Sequence, residues 1–299
     1  MSRDARSPAA GADIAASDAT TPRHGWGLDV FRHRSLAAGL LIAGIIVLLV
    51  AAAPLLTSAD PTLQDPTQSF APPSAEHPMG ADAFGRDMLA RVLYGGRTTM
   101  LASLCAVALG GIAGVALGLV AGYAGGVVRF AIMRLVDLML AFPGILLALS
   151  VSAVLGPGLA NGVLAIAVVL TPIFARLVEG ATAEVRHLPY VDAAVTLGAG
   201  APRVILRHIL PNVSPGIIVL TTTWLGIAVL YIAALGFIGV GVQPPLPEWG
   251  EILNDGQNYI TLAWWITVFP GVFLALLVIG VNLIGDGLRD QLDPTLSRL

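Results

Sequence analysis

Five stretches of the chain contain no Asp, Glu, Lys or Arg: 35–59, 98–128, 138–175, 208–247 and 256–285. A helix needs about 20 apolar residues to cross the hydrocarbon core of a bilayer. Runs this long point to an all-α integral membrane protein before any motif is considered. Composition agrees: 56% of residues are hydrophobic, 12% are charged, and the mean hydropathy is +0.82, far from the soluble-globular norm.

The window 138–175 is too long for one helix, and Gly156-Pro157-Gly158 interrupts it. Two helices joined by a tight turn give six transmembrane helices, near 35–57, 98–121, 131–154, 159–179, 213–238 and 263–285. The arginines test that split, because cytoplasmic loops carry the excess of positive charge. All sixteen basic residues are Arg. With a cytoplasmic N-terminus, Arg3, Arg6, Arg23, Arg32, Arg34, Arg129, Arg134, Arg176, Arg186, Arg203, Arg207, Arg289 and Arg298 fall inside. Only Arg86, Arg91 and Arg97 fall outside, a split of 13 to 3. Merging the third and fourth spans moves six of these outward and gives 7 to 9. Six spans with both termini cytoplasmic are therefore expected.

Residues 1–30 are rich in Ala, Ser, Asp and Arg without periodicity, which predicts a disordered cytoplasmic tail. The first apolar run lacks a small-residue cleavage site soon after it and reads as a retained span. Cys105 is the one cysteine, and His24, His33, His77, His187 and His208 form no metal-ligand spacing. There is no P-loop, no G-x-S-x-G and no mid-membrane carboxylate pair, so the chain is not expected to bind ATP or hydrolyse anything itself. Arg134 and Asp137, three apart, can pair on one helix face, and Arg176 and Glu179 are placed similarly. Snorkelling and pairing near the interface explain such charges more simply than a site within the membrane.

Between the fourth and fifth spans lies YVDAAVTLGAGAPRVILRHILPN, residues 190–212. Pro189 suits a first helical turn, Val191 to Leu197 continue it, and Gly198 and Gly200 supply left-handed positions that end it. Pro202 starts a second short helix that Pro211 stops. The expected product is two short helices bent at a glycine elbow. Small Ala193 and Ala194 on such an exposed helix make sense if another protein's groove closes over them. On the outer side, HPMGADAFGRDMLARVLYGGR, residues 77–97, predicts a short helix Asp87–Tyr94. Asp87 caps it, Gly95-Gly96 ends it, and Met88, Leu89, Val92 and Leu93 lay it flat on the membrane. Pro244-Pro245-Leu246-Pro247-Glu248-Trp249-Gly250 precludes a helix, and Trp249 suits the interfacial belt.

The D-A-A-x-x-x-G spacing followed by I-L-P resembles the cytoplasmic EAA loop of ABC importer permeases, with Asp192 where Glu is usual and His208 where Ile is usual. Residues 77–97 resemble the H-x-x-G-T-D-x-x-G-R-D-x-x-S-R segment of the dipeptide/oligopeptide/nickel class, C-type subunit, with Ala81 and Ala90 replacing Thr and Ser. Pro244–Gly250, Trp264-Trp265, Phe269-Pro270-Gly271 and Gly285–Pro294 extend the resemblance to the C-terminus.

This resemblance implies the type I ABC importer permease fold and an ATPase-coupling loop of Tyr190, Asp192, Ala193, Ala194, Gly198, Pro202, Arg203, Arg207, Leu210 and Pro211. It places an outer motif of Gly80, Asp82, Gly85, Arg86, Asp87 and Arg91 beside the translocation path. The expected organisation is a tail (1–30), a first helix with its outer loop (31–97), and a five-helix core (98–299) containing the coupling loop 187–212. The implied partners are a related second permease, two cytoplasmic ATPases that bind the ATP, an extracytoplasmic substrate-binding protein and the lipid bilayer of a bacterial inner membrane. No nucleic acid and no cofactor of its own are implied. Short peptides are the favoured cargo, with nickel, glutathione or glycosides as alternatives. An ion-coupled secondary transporter would instead show a membrane-buried acid or broken helices in paired halves, and a membrane enzyme would need convergent polar groups.

Overall fold

The computed structural model describes residues 34–292. The expected tail, 1–30, and Asp293-Pro294 of the terminal motif lie outside them. Among the described residues, regular structure is helical, apart from one isolated antiparallel bridge between Ala81 and Asp87. The principal helices are α1 (Arg34–Ala51), α2 (Met88–Ala124), α3 (Gly126–Leu140), α4 (Gly144–Leu155), α5 (Leu159–Val185), α6 (Pro189–Thr196), α7 (Ala201–Ile238), α8 (Trp249–Gly256) and α9 (Trp265–Leu292).

Helices α1, α2, α5, α7 and α9 are each long and apolar enough to cross a membrane. The third crossing is not a straight helix. It is the pair α3–α4, bent by 95° at Ala141-Phe142-Pro143. Pro143 offers no N–H and takes an extended ψ of 128°, so the ladder stops and restarts when Leu147 N donates to Pro143 O, 3.0 Å. Crossings thus number five, or six with the bent pair.

The connections collect at two ends. At the elbow end, the Arg186 guanidinium lies 5.5 Å over the Tyr123 ring, which brings α6 and the start of α7 beside the α2–α3 turn. At the opposite, capped end, residues 57–87 meet the α7–α9 connection, and Gly158 N donates to Val240 O, 3.3 Å.

Lipid tails are as apolar as leucine, so helices in a bilayer associate through close fit and hydrogen bonding rather than burial from water. The α2–α5 seam shows this. Gly110, Gly114, Gly118 and Gly122 form one stripe along α2, and a β-carbon at Gly110 or Gly118 would lie 2.7 Å from the carbonyl oxygen of Ala167 or Ala175. A similar approach joins α1 to α9, where a β-carbon on Gly39 would lie 2.7 Å from Gly280 O.

Several local expectations are corrected. Residues 88–94 are not a separate surface helix but the first turns of α2. Gly95 and Gly96 do not end it, because Trp249, Val50 and Ile252 pack where their side chains would be. Met88, Val92 and Leu93 are buried in the protein. Trp249 is also fully buried, its Nε1 donating to Val92 O at 2.8 Å, so it belongs to no interfacial belt. Pro211 does not stop the second elbow helix. Ile205–Ile209 form a π-turn, with Leu210 N donating to Ile205 O, and α7 runs on into the fifth crossing. Two neighbouring side chains cap backbone carbonyls there: Asn212 Nδ2 donates to His208 O at 2.6 Å, and Ser214 Oγ to Pro211 O at 2.9 Å. The charges near the elbow end pair between helices, not within one: Asp137 with Arg176, and Arg129 Nε with Glu179 Oε1 at 2.5 Å. Packing α3 against α5 brings opposite charges closer than the i,i+3 spacing does.

Candidate functional site

The elbow is assembled from hydrogen bonds that the glycine position permits. Leu188 precedes α6 in extended conformation and Pro189 opens its first turn. Helix α6 then ends in a Schellman turn: Gly198 N donates to Val195 O (2.9 Å) and Ala199 N to Ala194 O (3.0 Å), with Gly198 at φ 85°. Gly200, expected to be left-handed as well, is not; at φ −67° and ψ 155° it is the extended N-cap of α7. Pro202 lies in the first turn of α7.

One side of this bend faces inward. Val191, Val204 and Ile209 are buried with Leu119, Val178 and Val213, which fastens the elbow to α2 and α5. The Tyr190 and His208 rings, 6.4 Å apart, link α6 to α7. The other side is open. Asp192, Ala193, Gly198, Pro202, Arg203, Arg207 and Pro211 are exposed, while Ala194 and Leu210 are half-buried. Leu197, at 89% exposure, and Leu206, at 64%, project beside them. Sequence reasoning treated Leu197 as helix continuation and passed over Leu206. Their signal was available: large apolar side chains flanking a glycine stop in a segment assigned to water.

At the capped end, all six residues of the outer motif fall in one neighbourhood. Gly80 and Gly85 have φ of 76° and 71°, where a side chain would be strained. They fold the loop so that Asp82 Oδ1 accepts from Phe84 N (2.8 Å) and Arg86 N (3.0 Å). Asp82 Oδ2 lies 2.5 Å from Arg86 Nε and 3.4 Å from Arg91 Nε. Asp87 caps α2 through Ala90 N (2.8 Å) and holds His77 Nδ1 at 2.9 Å.

The sequence reading missed the opposite wall, which α8 supplies. Glu251 Oε2 lies 2.8 Å from Arg91 Nη2, and Asp255 Oδ2 lies 3.1 Å from Arg86 Nη2. Glu248, fully buried, caps α8 through Glu251 N (3.1 Å) and accepts from Thr99 Oγ1 (2.6 Å). The three acids sit at i, i+3 and i+7, the N-cap and one face of α8. Burial pushes the Glu248 carboxyl up. Burial likewise pushes Glu251 up to about 7, against the attraction of Arg91 and with help from the nearby Asp255 carboxylate. Among the described residues, no group of His, Cys, Asp or Glu is placed to hold a metal ion. The buried pairs chiefly bolt the loop, α2 and α8 together.

The molecule is a helical membrane bundle with a glycine elbow at one end and an ion-paired cap at the other. The same fold is seen in a chain of the inward-facing MetNI methionine ABC transporter (TM-score 0.55, 20% identity, 69% of this chain and 98% of that chain). The chain belongs to the family of binding-protein-dependent transport system inner membrane components, which matches residues 114–298. It is 44% identical to the dipeptide transport system permease protein DppC of Alkalihalophilus pseudofirmus, over 89% of this chain and 88% of that one. It is 39% identical to the glutathione transport system permease protein GsiD of Pectobacterium atrosepticum, over 92% and 91%. It is thus a multi-pass inner-membrane permease subunit of ABC type, without catalysis of its own.

Proposed function

We infer that this subunit forms half of the path by which short peptides enter a bacterial cell, and that the elbow receives the force of ATP binding. The observation that carries this reading is the exposed Leu197 beside the Schellman turn at Gly198, on a bend anchored through Val191, Val204 and Ile209. An anchored base with an open apolar tip is what a rigid lever docking into another protein's groove requires. Peptide cargo follows the dipeptide relative, and the glutathione relative keeps that thiol peptide in view.

Residues 187–212 then face the cytoplasm with both termini, and residues 77–97 face outward. Residues 31–97 supply the first crossing and the outer cap, and 98–299 the transport core. A related second permease completes the path, two ATPases bind the ATP, and a substrate-binding protein delivers cargo to the capped end. Closure of the ATPases would shift the population between inward and outward access.

The test is co-purification. Leu197→Glu, at a site exposed in the isolated subunit, should leave membrane insertion intact and remove the ATPases from the purified complex. Full retention of the ATPases and of uptake per ATP would refute the docking role.

A further inference from the structure

The capped end encloses a polar cavity of about 180 Å³ between the 82–86 loop and the end of α8. Asp82, Phe84 and Arg86 line one side, and Asn254, Asp255, Asn258 and Tyr259 the other. The Arg86 guanidinium that lines it is already engaged, while Arg91, behind the lining, keeps its Nε without a hydrogen bond. Arg86 is held by Asp82 and Asp255, and Arg91 behind it by Asp82 and Glu251. The carboxylates are not all used. Asp255 gives one oxygen to Arg86 and keeps its side chain 32% exposed, while Glu251 Oε1 is buried without a hydrogen-bond partner. Among the groups that line the cavity, Asp82 and Asp255 face Arg86 alone, and the surplus charge is negative. Phe84, half-exposed at the rim, already carries the Arg86 guanidinium over its ring at 4.7 Å, which leaves its other side for a partner.

The surroundings repeat the imbalance. Among the described residues of this end, Asp60, Asp65 and Glu76 are exposed acids. The bases are withdrawn: Arg86 and Arg91 are buried, and Arg97 donates to Val50 O (2.9 Å) and Ala51 O (2.6 Å). Phe84, Ile260 and Leu262 expose apolar surface nearby. A partner that fits this face brings positive charge and some apolar contact, and its most specific group is planar and cationic. Arginine meets that description, since it pairs with carboxylates and stacks on aromatic rings.

We propose that this cavity is a socket for a basic side chain, an arginine above all, on the substrate-binding protein. The proposal rests on the importer reading, whose family description itself names a binding protein. The negative field would speed encounter and set orientation, and the socket would fix register. The delivered cargo passes elsewhere; this contact holds the carrier.

The experiment uses the full complex of both permeases, ATPases and binding protein in lipid vesicles. ATP hydrolysis is measured against binding-protein concentration. Asp255→Asn and Asp255→Arg should raise the half-stimulating concentration, by about tenfold for the reversal. The wild-type value should itself rise with salt. Because Asp255 also holds Arg86, a second measurement avoids the ion pairs: a photo-crosslinking residue at Asn258, an exposed position. It should capture the binding protein at a segment containing Arg or Lys. Unchanged stimulation curves together with no Asn258 adduct would overturn the socket. So would an adduct to the peptide cargo in place of the carrier. Failure of the importer reading looks different, because ATP-dependent uptake would then be absent from the wild-type complex.

Discussion

Arg91 and Glu251, 160 positions apart, form an ion pair of 2.8 Å in which both side chains are almost fully buried. The contact ties the first turn of α2 to α8, and so couples the first outer loop to the third. Removing one partner leaves a charge stranded away from water, which costs about 3–5 kcal/mol. Glu251→Leu, which leaves the buried Arg91 guanidinium, should therefore lower the melting temperature sharply in detergent or lipid. Arg91→Met with Glu251→Leu should recover part of that loss, a recovery that calorimetry on the two variants will detect.

The same carboxyl predicts a pH dependence. Folding raises the Glu251 pKa from 4.5 to about 7, so the folded state holds the extra proton between those values. Its contribution to stability is then fully present below pH 4.5 and is lost as pH rises through 7. The melting temperature should fall between pH 5.5 and 7.5, and Glu251→Gln should flatten that slope. A slope of opposite sign, or one unaffected by the substitution, would contradict the assignment.

Gly198 occupies the left-handed position that closes α6, and a β-branched residue there is strained by roughly 1–3 kcal/mol. Gly198→Val should leave the crossings in place but reduce uptake per ATP hydrolysed. Gly200→Val is the contrast, since Gly200 has an ordinary extended conformation and a β-carbon there would meet only Pro202, at 4.0 Å. Equal coupling in both variants would show that the turn geometry does not matter.

Neighbouring glycines on α2 should behave oppositely. A β-carbon at Gly110 would press to 2.7 Å from Ala167 O, whereas one at Gly111 would meet Phe174 at an ordinary 3.6 Å. Gly110→Val should cost about 1–3 kcal/mol as an overpacked contact. Gly111→Ala should be neutral, or slightly stabilising through helix propensity. Thermal unfolding of the two variants separates these outcomes.

Orientation is checked by cysteine labelling. In a Cys105→Ser background, Gly200→Cys and Ala83→Cys should react with an impermeant thiol reagent from opposite sides. Labelling of both from outside intact cells would reverse the placement of the elbow.

The crossings were legible because charge exclusion from lipid is severe, and 35–59 or 256–285 admits few other readings. The break at Phe142-Pro143 was not, since the window 138–175 stays apolar across it and Pro143 alone marked the bend. Gly95-Gly96 looked like a helix stop because local propensity favours one; the buried Trp249, more than 150 residues on, overrides it. Within the elbow, the Gly198 turn followed from sequence, but the π-turn that lets α7 pass Pro211 did not. At the cap, the arginines and Asp82 were visible as a motif while the partners on α8 were not. Glu251 and Asp255 meet them only after the chain has crossed the bundle several times.

The glycine stripe of α2 decides which parts of this subunit can move separately. Each notch receives one ridge of α5 at backbone distance, so sliding by a turn would drive side chains such as Phe174 or Val178 out of register with the notches. Helices α2 and α5 therefore travel as one plank, and the elbow fastened to them through Val191 and Ile209 travels with it. Whatever opens and closes in this subunit does so around the plank, across which α3 of the bent crossing packs through Met133 and Val136, and not by parting α2 from α5.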